Sequence, residues 1–72
     1  MARSIQTILG AQIRKLRKER EWSQEDLAAA SGLHWTYIGQ VERGERNLTL
    51  QSLNAIAKAL KTKLSELFAC LD

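Results

Sequence analysis

The chain has 72 residues and a net charge of +3, with a sequence pI near 9.4, so it makes one small domain at most. A single cysteine, Cys70, and a single histidine, His34, exclude an internal disulfide and a cysteine-based zinc site, and argue against any metal centre. No apolar run approaches the roughly 18 residues of a membrane span, and the start MARSIQTILGAQIRKLRK shows no cleavage pattern, so neither a membrane partner nor a signal peptide is expected.

The first predicted helix runs from about Ile5 to Arg20, with Ser4 as N-cap and Ile5, Ile8, Leu9, Ile13 and Leu16 as its inner stripe. Residues 1–20 carry Arg3, Arg14, Lys15, Arg17, Lys18 and Arg20 against the single acid Glu19. That imbalance points to a polyanion or, more plainly, to a solvated helix face. The second helix starts at Ser23, with Asp26 placed to complete a capping box and Trp22 and Leu27 spaced as a hydrophobic staple. Leu27, Ala28 and Ala30 allow close packing, and Gly32 ends the helix in the left-handed conformation. A few residues later the third helix begins, from about Trp35 to Glu42 or Arg43, closed by Gly44. Two helices joined by a short glycine-containing turn have helix-turn-helix spacing. Thr49 then caps a fourth helix to about Leu60, with Leu50, Leu53, Ile56, Ala57 and Leu60 inward. A last short helix covers about Leu64 to Leu71, and Leu64, Leu67, Phe68 and Leu71 offer more apolar surface than one small core absorbs. The fold expected is all-α, a compact five-helix domain.

On a helical wheel at about 100° per residue, Ile38 and Val41 define the inner side of the third helix. Thr36, Gly39, Gln40 and Arg43 fall opposite, with Trp35 and Tyr37 on the flanks. A hydroxyl, a bare backbone, an amide and a guanidinium suit a DNA groove. Gln can pair bidentately with adenine, Thr can bond a base edge or touch a thymine methyl, and Arg can take guanine or phosphate. Gly39 costs about 1 kcal/mol relative to alanine; it either permits close approach of the backbone or is merely tolerated. Trp35 can pack against the second helix or lie against sugar and thymine methyls. His34 suits an N-cap or an exposed neighbour of DNA. Tyr37 can pack on the core or reach a phosphate with its hydroxyl.

The run WSQEDLAAASGLHWTYIGQVERGERNLTLQSLNAIAKAL resembles the lambda-repressor-like (XRE-type) helix-turn-helix family. SQEDLA, SGL and YIGQVERGERN in combination carry the resemblance, which covers about Ile5 to Leu60. RNLTLQSL and the terminal SELFACL are most similar to the small controller proteins of restriction–modification systems. The resemblance implies base-reading roles for Trp35, Thr36 and Gln40. It implies backbone or groove-edge contacts for Gln24, Tyr37, Arg43, Arg46 and Asn47, to which the wheel adds Gly39 and the position just before the helix adds His34. It implies a structural ion pair between Arg17 and Glu42, and a dimerisation element in about residues 62–72, with Leu64, Leu67, Phe68 and Leu71 at the interface. Controller proteins often have an acidic residue and an arginine where this chain has His34 and Trp35. Without that guanine-reading fork, an operator sequence does not carry over from relatives.

The function expected is a homodimeric, sequence-specific regulator that binds a pseudo-palindromic operator in double-stranded DNA, with two dimers on adjacent sites as an extension. No cofactor and no small-molecule ligand are expected; a lone cysteine suits a reducing cytosol, and the resemblance implies a bacterial or phage-encoded protein of the cytoplasm, associated with the nucleoid. A phage-type repressor is the alternative among regulators, and two other classes compete. An antitoxin would carry a long neutralising tail, whereas this chain stops at Asp72, just after its last helix. An enzyme would need a nucleophile–base spacing and a cleft, and neither stands out.

Overall fold

The computed structural model describes residues 4–71; Arg3 and Asp72 lie outside the described residues. Five helices follow in order: α1 (Ile5–Glu19), α2 (Gln24–Ser31), α3 (Trp35–Glu42), α4 (Leu50–Ala59) and α5 (Leu64–Phe68), the last continued by a 3-10 turn, Ala69–Leu71. The starts are fixed locally. Ser4, Ser23, His34 and Thr49 each accept a backbone N–H of the following first turn, which satisfies a donor that the helix itself cannot. At α2 the box is reciprocal, with Asp26 accepting from the Ser23 N–H at 2.8 Å.

Three helices end in the same way. After α1, Glu21 N–H bonds Lys18 O and Trp22 N–H bonds Arg17 O. The pattern recurs at Gly44–Glu45 after α3 and at Lys61–Thr62 after α4. This paired closure needs a left-handed residue. Gly44 supplies it at φ 75°, whereas Glu21 and Lys61 adopt it at φ 57° and 55° despite carrying side chains. Gly44 has a second reason to be glycine, because an added Cβ would lie 2.6 Å from Thr7 Oγ1.

The core is built from Ile13, Leu27, Ile38, Val41, Ile56, Leu60 and Leu67, all fully buried and drawn from every helix. α1 and α2 both pack on α3, and α4 and α5 close the other side. One contact in particular sets how near α1 and α3 come. At Gly10 an added Cβ would lie 2.3 Å from the Val41 carbonyl oxygen, so only a residue without a side chain permits this crossing.

The wheel misplaces some apolar residues. Leu50 is 74 % exposed, and Ile5 also faces outward. Each is the first residue of its helix, where the stripe runs on past the last neighbour able to cover it. Ala30 is exposed as well; only Leu27 and Ala28 of α2 are buried. In α5 the correction runs the other way. Leu67 is fully buried in this chain's own core, so it is not available to a subunit interface, and Leu64 and Phe68 pack partly against the same core. Leu71 remains exposed. The thiol of Cys70 is turned inward, toward the carbonyl oxygens of Leu67 and Ile8.

Candidate nucleic-acid interface

α3 sits on α1 and α2 with Ile38 and Val41 buried beneath it. Its opposite side is open. His34 caps the start, its Nδ1 accepting from Thr36 N–H at 3.2 Å. Trp35 is 54 % exposed, and its ring lies against that of His34 with centroids 6.1 Å apart. The indole is thus not absorbed by α2 but held at the helix start, beside the exposed Thr36. Tyr37 is half-buried, packed on the core along one side.

Gly39 departs from its place on the wheel. It is buried rather than bare, because the Gln24 side chain from the start of α2 and Arg43 cover it. An added Cβ would lie 3.3 Å from both Gln24 Oε1 and Arg43 Nη1. The glycine therefore serves approach to the protein's own side chains, and Gln24 and Arg43 are what that face presents.

Beneath this face lies a buried charge pair. Arg17 Nε donates to Glu42 Oε2 at 2.7 Å and Nη2 to Oε1 at 2.9 Å, while Nη1 donates to the Trp22 carbonyl at 2.6 Å. Gln24 Nε2 adds a bond to Glu42 Oε1 at 3.2 Å. α1, α2 and α3 thus meet at one carboxylate. The hydrogen bond to Glu42 is the main reason the Arg17 guanidinium is held above its ordinary pKa, against the opposing effect of burial. A polar notch lined by Arg14, Arg17, Gln24, Glu42 and Arg43 opens beside the pair. Arg14 was not singled out by sequence reasoning. Its signal lay in the basic run of α1, which does not say which of its members turns toward α3.

The loop after α3 is also ordered by its own side chains. Arg43 is paired with Glu45 in the open, Nε–Oε2 3.0 Å and Nη2–Oε1 3.2 Å. Arg46 turns back to α3: its Nε donates to Gln40 Oε1 at 2.9 Å, and its guanidinium carbon lies 5.8 Å from the centroid of the Tyr37 ring. Asn47 accepts from Gln6 of α1. Thr36, Gln40, Arg43 and Arg46 therefore share one accessible surface, bounded by Trp35 and Asn47. Among the described residues no cluster of His, Cys, Asp and Glu is placed to hold a metal, and no helix is long and apolar enough to cross a membrane.

Comparison with known proteins follows the same outline. The chain matches the family described as Helix-turn-helix over residues 13–67. It is 52 % identical over 63 residues to Control protein C.SmaI of Serratia marcescens, covering 88 % of this chain and 75 % of that one. The crystal structure of the restriction-modification controller protein C.AhdI from Aeromonas hydrophila superposes with a TM-score of 0.86 at 43 % identity, covering 88 % of this chain and 96 % of the other. A second similar structure is the controller protein C.Esp1396I, a tetramer in complex with its natural 35 base-pair operator. Its TM-score is 0.85 at 40 % identity, with 96 % and 92 % of the two chains covered.

Proposed function

The chain belongs to the helix-turn-helix family, as a DNA-binding regulator of the restriction–modification controller type and not an enzyme, and on that premise we propose how it engages its operator. α3 enters the major groove of double-stranded DNA, with Trp35, Thr36 and Gln40 toward base edges. Gln24, Tyr37, Arg43, Arg46 and Asn47 lie toward the sugar–phosphate rim, with His34 beside them, and Arg14 joins this set from α1. Phosphate contacts fix the docking and base edges supply discrimination. The single observation that carries the reading is the outer side of α3, where the Thr36 hydroxyl and the guanidinium of the capping Arg43 are exposed and the Gln40 amide is half-buried, above a fully buried Ile38 and Val41.

The protein acts as a homodimer, so that two copies of α3 reach successive major grooves about 34 Å apart on a pseudo-palindromic site. A controller relative is a tetramer on its operator, and two dimers on adjacent sites are the corresponding arrangement here. The subunit contact is assigned to the open apolar groove lined by Ile5, Leu9, Leu48, Phe68 and Leu71, in place of a seam centred on Leu67. Such a contact is isologous, each groove meeting its copy. Asn47 also lines the groove, so pairing there brings the two α3–α4 loops toward the dyad.

Selection from random duplex DNA, followed by binding at several salt concentrations, tests the reading. A palindromic consensus is expected, with affinity falling steeply as salt rises. Sequence-independent binding overturns it. Leu71→Glu should yield monomers in sedimentation; a dimer unchanged by that substitution places the seam elsewhere.

A further inference from the structure

Gln40 and Arg46 are six positions apart and belong to different elements, yet the arginine fixes the state of the glutamine. A guanidinium has N–H groups only, so the atom of Gln40 facing Arg46 Nε at 2.9 Å is the amide oxygen. The amide plane is thereby oriented. Its oxygen turns toward the loop and its NH2 turns away, and among the described residues that NH2 has no hydrogen-bond partner. Arg46 is itself held by the Tyr37 ring at 5.8 Å, a cation–π distance. The ring, which rests on the core, thus steadies an exposed arginine.

We infer that Arg46 is a positioning residue that makes Gln40 a hydrogen-bond donor, so that Gln40 reads guanine and not adenine. The inference rests on the groove reading of α3 proposed above. An unrestrained glutamine pairs with adenine by accepting from N6 while donating to N7. Here Arg46 turns the oxygen that would accept from N6 toward the loop and occupies one of its two lone pairs, and the group turned away from the loop, toward the base, is the NH2. Guanine shows two acceptors, O6 and N7, in the major groove, whereas adenine and cytosine each show an amino donor. An amide that presents its NH2 beside a cation meets guanine favourably and is opposed by either amino group. The guanidinium keeps its two Nη groups for a phosphate, so one arginine serves both backbone and base selection.

The test measures relative affinity for all four bases at the operator position that Gln40→Ala makes indifferent. The wild-type protein should prefer guanine to adenine there, and Arg46→Ala should shift that preference toward adenine by on the order of tenfold. The guanine-to-adenine ratio cancels the uniform loss from a missing phosphate contact, so a purely electrostatic or structural arginine leaves that ratio unchanged. An unchanged ratio in Arg46→Ala, or an adenine preference already present in the wild-type protein, overturns the inference while groove reading stands. If the wild-type protein has no base preference at any position, both readings fall together.

Discussion

Glu42 and Arg43 are neighbours in the chain, and each is paired with an opposite charge by two hydrogen bonds. Their surroundings differ. The side chains of Arg17 and Glu42 are 8 % and 2 % exposed, whereas those of Arg43 and Glu45 are 57 % and 53 % exposed. In the buried pair, water can replace neither partner, and each guanidinium nitrogen and each carboxylate oxygen already has a bond inside the protein. In the exposed pair, solvent competes with both. The same chemistry therefore locks three helices together at one residue and leaves a movable charge at the next. The carboxylate of Glu42 belongs to the fold, and the guanidinium of Arg43 is available to a ligand.

The largest effect expected is at the buried pair. Glu42→Ala leaves Arg17 buried and uncompensated, a loss of about 3–5 kcal/mol. Whole domains have only about 5–15 kcal/mol, so denaturant titration should find this variant largely unfolded or nearly so. A loss below about 1 kcal/mol would make the two pairs alike. Next comes the approach that brings Glu42 within reach of α1. Gly10→Ala puts a methyl within 2.8 Å of the Glu42 carbonyl oxygen and closer still to that of Val41. The helices must part, at a cost of about 1–3 kcal/mol, more than the roughly 1 kcal/mol alanine returns in helix propensity. A raised melting temperature would show that the crossing tolerates a methyl.

The smallest effect on stability belongs to the exposed pair. Glu45→Gln should change it by no more than about 0.5 kcal/mol, yet release Arg43 toward phosphate. Binding to arbitrary duplex DNA should tighten, with the salt slope steeper by about one. An unaltered slope would take Arg43 off the phosphate-facing set.

What sequence could tell divides along a similar line. Ser4, Ser23, Thr49, Gly32 and Gly44 act on backbone within a few residues, so their roles were legible from position alone. Ile5 and Leu50 were misplaced because periodicity gives a direction on a helix, not the point at which its neighbours stop. Leu67 reads as surplus in the sequence because no local pattern reveals the room that the core keeps for α5. Gly10 passed unnoticed since its partner, a backbone carbonyl, has no sequence signature. At the candidate site, the outward side of Thr36, Gln40 and Arg43 was legible, but the cover that Gln24 and Arg43 give Gly39 was not. The state of the Gln40 amide was not, because Arg46 lies beyond the helix end, where wheel geometry no longer applies.

The closure of α3 carries one more consequence. Glu45 N–H is bonded back to the Gln40 carbonyl, while the side chain of Gln40 is bonded forward to Arg46. His34 caps the other end. Residues 34–46 thus interlock as a cassette whose parts specify one another. Moving the binding preference of one such regulator onto another then requires exchanging the cassette entire. A single transplanted side chain would arrive without the neighbour that decides which of its atoms faces the DNA.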